Sequence, residues 1–291
     1  MKYIYLVNSF QYGKGTGRII HKLRRASEYF GRDYKIKVCR SPQESVSFID
    51  QCKDLGRVIT TIGGDGSINH LLNALAGSGN ILSFLPYGTG NDFCRGCLEF
   101  LPSGVHEVDI IRINDRYFIN NACFGIDADI ANDERFIHNK FIPKPLRFHA
   151  GVVHHFLSFK EGRQLKIECG GETIEGNYTT VIAANSQYYG GGYKVSPGSR
   201  INDGIMEIYL VDKLTRPGMA KVILSMKNAG HLKDPALRMI KTDRLTISSA
   251  LPFEANMDGE PLLSDRFELE LIPRGILLDY DREFNEYFLK V

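Results

Sequence analysis

The chain has 291 residues, 43% hydrophobic and 24% charged, the composition of a water-soluble globular protein long enough for two domains. Its formal net charge is only +2 and it contains no Trp. With no dense Lys/Arg block either, composition excludes nucleic acid as an expected partner.

Tyr3–Val7 is a short apolar run rich in strand formers. Asn8 and Ser9 cut it off too soon for a secretory leader, so a cytosolic protein is expected. Asn8–Gly17, with three glycines, is expected as a loop. Arg18–Phe30 has helical spacing, with Ile19, Ile20, Leu23, Ala26, Tyr29 and Phe30 near one face, and Gly31 ends it. Lys35–Cys39 is a second strand. Ser41-Pro42-Gln43-Glu44 then opens a helix as N-cap, N1, N2 and N3, expected to run to about Leu55 before Gly56. Arg57–Ile62 is the third strand, Ser67–Ala76 a helix and Ile81–Leu85 the fourth strand. The span Gly66–Asn91 lacks Asp, Glu, Lys and Arg, but its asparagines, His70, Pro86 and glycines are not those of a membrane helix.

Alternating strands and helices with short links predict a parallel sheet covered on both faces, with ligands beyond the carboxyl ends of its strands. Asn8, Ser41, Gly63-Gly64-Asp65-Gly66-Ser67 and Tyr87-Gly-Thr-Gly-Asn-Asp92 each follow a predicted strand. A glycine turn that opens into a helix suits an anion such as phosphate. Asp65 within that turn needs a metal ion, a sugar hydroxyl or a backbone amide as partner. No GxxxxGK[ST] or GxGxxG occurs, which excludes a P-loop and a dinucleotide fingerprint.

From about Val108 the pattern changes. Val108–Ile113, Tyr117–Phe124, Gln164–Glu168, Tyr178–Ala184, Ile205–Val211, Arg244–Ser248 and Phe267–Ile272 read as strands separated by turns such as Asn114-Asp115, Gly170-Gly171 and Asn202-Asp-Gly204. Helices over Lys144–Lys160 and Pro217–Ala229 interrupt this antiparallel region. The domains are expected at 1–106 and 107–278, with 279–291 a tail that packs back on the first domain. The six cysteines are Cys39, Cys52, Cys94, Cys97, Cys123 and Cys169, expected as free thiols. Cys94-Arg-Gly-Cys97 is a close pair on a helix, and no second CxxC supports a metal.

Gly63–Ser67 together with Pro86-Tyr-Gly-Thr-Gly-Asn-Asp92, then Ile201-Asn-Asp-Gly-Ile205 after Gly190–Gly192, then Asp258-Gly259-Glu260, resemble in order and spacing the diacylglycerol kinase catalytic-domain family. Ser67 stands where that family usually has Thr, and Ser9 where it has Pro. The resemblance implies an N-terminal αβα Rossmann-like domain, similar to those of NAD kinases and phosphofructokinases, and a C-terminal antiparallel β-sandwich domain. ATP and lipid would meet in a cleft between them. It also implies an ATP-dependent lipid kinase with Mg2+, reaching a lipid substrate by peripheral contact at a membrane surface. Asn8, Ser41, Gly63, Gly64, Asp65, Gly66, Ser67, Asn69, Thr89, Asn91 and Asp92 carry over as nucleotide contacts. Turn chemistry is the alternative for Thr89 and Asn91, and a helix cap for Ser41. Glu260 is the expected general base and Asp258 a metal-binding or orienting carboxylate, although Met257-Asp-Gly-Glu260 also reads as a hairpin bend. Asp203, with the carbonyls of Arg200 and Ile205, resembles a magnesium loop, the other reading being a plain turn. His149, His154 and His155 lack the spacing of zinc ligands on one helix face. Tyr188, Tyr189 and Tyr193 could line a lipid cleft or belong to the core. An NAD kinase-like enzyme and a non-catalytic nucleotide- or lipid-binding regulator of the same fold are the competing readings. Against the first, the Gly88–Asp92 loop and the DGE motif fit the lipid kinases better, and the second leaves the intact Asp65, Asp92, Asp258 and Glu260 unexplained.

Overall fold

A computed structural model describes residues 2–53, 55–88, 90–137, 142–159, 162–226 and 228–291. The chain divides into two compact units, residues 1–108 with 274–291, and residues 109–273.

In the first unit, strands β1 (Tyr3–Asn8), β2 (Tyr34–Cys39), β3 (Val58–Gly63) and β4 (Ile81–Pro86) are parallel in the order β2-β1-β3-β4. Every residue of β3 is buried, as expected for a strand covered on both faces. Helices α1 (Ser9–Tyr12), α2 (Thr16–Tyr29), α3 (Pro42–Asp50), α4 (Asp65–Leu75) and α5 (Asp92–Phe100) connect the strands. Ser45 Oγ lies 2.8 Å from His70 Nε2 and links α3 to α4.

Two expectations fail here. The segment after β1 is not a loop: α1 and a 3₁₀ turn at Gly13–Gly15 lead directly into α2. Long-range bonds override the glycines, with Ser9 Oγ donating to Cys39 O at 2.9 Å and Tyr12 Oη to Ile62 O at 2.7 Å. Helix α3 stops at Asp50, short of Leu55. The Cys52 amide closes back on Ile49 O (2.8 Å), Asn80 Nδ2 takes the Cys52 carbonyl (2.8 Å), and Leu55 is 52% exposed, so no apolar face sustains another turn.

The second unit is β-rich. Its elements are β5 (Gly104–Ile113, begun in the first unit), β6 (Arg116–Phe118), β7 (Asn121–Gly125), α6 (Ile126–Ala131), α7 (Glu134–Ile137), α8 (Lys144–Ser158), β8 (Arg163–Cys169), β9 (Glu172–Ala184), β10 (Tyr188–Tyr189), β11 (Tyr193–Lys194), β12 (Met206–Asp212), α9 (Arg216–Met226), β13 (Leu237–Thr242), β14 (Arg244–Met257) and β15 (Glu260–Tyr280). Lys160, the expected end of α8, lies outside the described residues. Strand β9 pairs antiparallel with β8 through its first half and with β7 and β12 through its second. The inward faces enclose a core that includes Phe124, Tyr178, Ile208, Phe253, Met257 and Phe267. Strand β13 has no counterpart among the expected elements. It is an edge strand, Leu-Arg-Met-Ile-Lys-Thr, whose charges mask its β character. The single strand expected over Tyr117–Phe124 breaks into β6 and β7, because the amides between them bond to the Asp258 carboxylate.

β15 ends in the first unit, where Leu278 and Asp279 add to β4 in parallel. The chain closes with α10 (Arg282–Lys290). Phe284 and Phe288 of α10 share a core with Tyr5, Val7, Leu23, Ile62 and Leu85.

Candidate active site

The carboxyl ends of β3 and β4 carry the two glycine turns of the first unit. β3 ends at Gly63 with φ 155, where a Cβ would sit 2.7 Å from the Ser67 Cβ, so only glycine fits. Gly64 and Gly88 meet main chain to main chain: a Cβ on Gly88 would lie 2.6 Å from Gly64 N. The Tyr87 amide donates to Gly63 O at 2.9 Å. The second turn closes on Asn91, which is left-handed (φ 54). Asn91 Oδ1 accepts from Gly88 N (3.0 Å), and its Nδ2 donates to Gly88 O (2.9 Å).

Asp65 joins the two turns. Its Oδ2 accepts from Asp92 N and its Oδ1 from Phe93 N, both at 3.0 Å. The carboxylate that opens α4 therefore caps α5, and of the partners its sequence context left open, backbone amide is the one found. Burial pushes the Asp65 carboxyl up, against the pull of those amides. Asp92 is buried and accepts from Arg95 Nη1 at 2.7 Å. Ser67 Oγ accepts from Gln11 Nε2 at 3.4 Å. The N-termini of α4 and α5 thus lie side by side, each with a positive dipole end.

The remaining predicted contacts are placed differently. Ser41 caps α3, accepting from Glu44 N at 3.2 Å. Asn8 ends β1 buried, with an Oδ1 that no described group serves. Asn69 is fully buried within α4, where its Oδ1 accepts from Asn73 Nδ2 at 3.2 Å. Thr89 lies outside the described residues.

In the second unit, Met257 pairs with Glu260 across a two-residue turn whose central residues, Asp258 and Gly259, have φ of 49° and 92°, a type I′ hairpin. The buried Asp258 carboxylate takes the amides of Ile119 (2.9 Å), Asn120 (3.0 Å) and Asn121 (3.0 Å). It clamps the hairpin to the chain between β6 and β7. Glu260 is half-buried, and no described residue donates to its carboxylate. Two residues apart, one acid is saturated with amide donors and the other has no described donor.

Asp127 was not singled out in the sequence. It lies in the first turn of α6, two residues after Gly125, whose φ of 149° and close approach to Thr179 O (2.6 Å from where a Cβ would sit) admit no side chain. Burial pushes the Asp127 carboxyl up to about 6, and Tyr189 Oη donates to it at 3.0 Å. The available signal was a glycine ending a β run and leading into Asp127 and Asp129. Tyr189 packs against the core of Cys123, Ile182 and Tyr209.

Asp203 Oδ1 accepts from Ile205 N (3.1 Å), and Gly204 N donates to Asp109 Oδ2 (2.7 Å). The remaining Asp203 oxygen and the loop carbonyls are hard donors of the kind Mg2+ takes, so the donor type fits. Among the described residues, no cluster of three or more His, Cys, Asp or Glu is arranged to hold a metal. All six cysteines are free, and burial pushes Cys94 up to about 11, away from a metal-ligating thiolate. His155 Nε2 lies 2.8 Å from Asp133 Oδ2 in a surface network with Arg135. The side chain of His149 lies outside the described residues. Among the described residues no helix is long and apolar enough to cross a membrane.

Residues 2–113 match the diacylglycerol kinase catalytic domain, and residues 120–278 match the YegS C-terminal NAD kinase beta sandwich-like domain. A Klebsiella pneumoniae (strain 342) protein named "Probable lipid kinase YegS-like" is 28% identical over 84% of this chain and 86% of its own length. A Bacillus subtilis (strain 168) protein named "Diacylglycerol kinase" is 26% identical over 70% and 71%. The crystal structure of a diacylglycerol kinase from Bacillus anthracis str. Sterne superposes with a TM-score of 0.75 at 20% identity, covering 97% of this chain and 98% of that one. At that identity the likeness concerns the fold: an α/β domain followed by a β-sandwich domain. Fold and sequence together define an enzyme of the kinase class. The chain belongs to the family defined by the YegS C-terminal NAD kinase beta sandwich-like domain, and its N-terminal part matches a diacylglycerol kinase catalytic domain.

Proposed function

We propose that this enzyme transfers the γ-phosphoryl group of ATP to a lipid hydroxyl at a membrane surface, with diacylglycerol as the first candidate acceptor. The supporting observation is the meeting of two helix N-termini over main-chain-to-main-chain glycine turns. Asp65 Oδ1 and Oδ2 are spent on the amides of Phe93 and Asp92 at 3.0 Å rather than left bare against phosphate. Two dipole ends and unhindered backbone suit a polyphosphate. In this reading Gly63–Ser67, Asn91 and the ends of β1 and β2 at Asn8 and Ser41 hold the nucleotide. Mg2+ bound with ATP neutralises phosphate charge. Asp203 is proposed to hold a separate magnesium ion that steadies its loop. Glu260 takes the hydroxyl proton, while Asp258 fixes the hairpin that carries it.

Purified protein with γ-labelled ATP, Mg2+ and mixed micelles containing diacylglycerol, run beside NAD, is expected to label the lipid phase. Label in NADP with none in lipid overturns the reading. Glu260→Gln is expected to lower kcat by about 10²–10⁴-fold with ATP binding retained. An unchanged kcat removes Glu260 from the mechanism.

A further inference from the structure

We infer that the C-terminal helix α10 positions both glycine turns, acting through Phe288, Tyr87 and Tyr12. The inference rests on the reading of those turns as the nucleotide site.

The contacts form one continuous line within the first unit. Phe288 is fully buried, and the Tyr87 ring stands edge-on to it at 5.9 Å between centroids. Tyr12 stands edge-on to Tyr87 at 6.0 Å. Tyr12 Oη donates to the carbonyl of Ile62, the residue before Gly63, at 2.7 Å. It also lies 3.5 Å from where a Gly63 side chain would begin. Tyr87 is the residue before Gly88, and its amide donates to Gly63 O at 2.9 Å. One aromatic trio therefore supports the last residue before each turn.

The seat of α10 is itself over-determined. Asp281 caps its first turn, accepting from Phe284 N at 2.9 Å, and pairs with Arg32 at 2.5 Å. The Arg32 guanidinium lies 3.5 Å from the centroid of the Phe284 ring. Lys22, only 5% exposed, donates its ammonium to Phe288 O (3.2 Å) and Leu289 O (3.1 Å). A buried cation is costly unless hydrogen-bonded. Here one is committed to the last turn of α10. The carbonyl bonded by Lys22 belongs to Phe288, the residue that touches Tyr87. Covering the sheet would need the apolar face of α10 but not this lock on its final turn.

The roles are positioning ones, so the test separates nucleotide from lipid. Tyr12→Phe keeps the ring and removes only the bond to Ile62 O. Its Kd and KM for ATP are expected to rise about 3- to 10-fold, with kcat and the lipid KM within about twofold of wild type. Phe288→Ala opens a gap behind Tyr87 and is expected to weaken ATP binding by about tenfold or more, and Phe288→Leu to restore most of it. If Phe288→Ala does not fold, Tyr12→Phe alone decides. Folded variants that bind ATP as wild type does overturn the positioning role, as does an equal loss in the ATP and lipid KM. Wild-type protein that binds no ATP overturns the nucleotide reading instead, and the inference with it.

Discussion

The acidic turns of the two units use the same device to different ends. In the first, Asp65 crosses between loops and caps the helix that begins at Asp92. In the second, Asp258 gathers three consecutive amides, and the next acid, Glu260, is left without a described donor. Asp127 forms a third case, bonded by the Tyr189 hydroxyl and pushed up to about 6 by burial. The number of amides aimed at a carboxylate separates the acids that hold the main chain from those that do not. Position next to a glycine does not.

Three substitutions test that ordering, the larger loss first and a gain last. Asp258→Asn keeps a residue that tolerates φ of 49°, so the turn itself is not strained. An amide NH2 must then face a backbone donor, and a charge-assisted set of bonds is lost. Urea unfolding is expected to show a loss of about 2–3 kcal/mol. A stable Asp258→Asn protein with only kcat reduced would instead make Asp258 a participant in the chemistry. Asp65→Asn removes one of two bonds at the start of α5, with an expected loss of about 1–2 kcal/mol and weaker ATP binding by titration calorimetry. Intact stability would show that α5 needs no cap from α4.

The effect expected at Asp127 is a gain in stability, and it changes with pH. Its folded-state carboxyl titrates at about 6, above the ordinary value of 3.8. The protonated form therefore favours folding. That contribution is complete below about pH 4 and is lost as pH rises through about 6. Asp127→Asn retains an acceptor for Tyr189 and is expected to stabilise the fold by about 3 kcal/mol at pH 8, from a carboxyl raised by about two pH units at ~1.4 kcal/mol each, and by nothing measurable at pH 4. Chemical denaturation at the two pH values reads this directly, and the same shift at both would exclude a buried, titrating carboxylate.

The parallel sheet was legible because β1, β3 and β4 are mostly apolar runs that alternate with segments of helical spacing. The Ser41–Glu44 cap was legible because local hydrogen bonding alone determines it. What escaped was non-local. Nothing near Ser9 announces that its hydroxyl will bond Cys39 O, or that Tyr12 will reach Ile62 O and make α1 helical. The break between β6 and β7 is imposed by Asp258, more than a hundred residues away in sequence. In the candidate site the glycine turns stood out, since few residue types permit that backbone. The distinct duties of Asp258 and Glu260 did not, because amide count is a property of the folded chain. Asp127 escaped for the same reason: only burial gives that carboxylate an unusual environment.

The approach of Gly64 to Gly88 also bears on how this sequence can vary. Where a large and a small side chain share a space, growth of one can be matched by shrinkage of the other, and a lineage can drift through the exchange. Here two main chains touch, and both residues are already the smallest available. No second change at either position can compensate a first. The pair is locked by geometry whatever ligand the turns hold, and variation in this protein must flow around it.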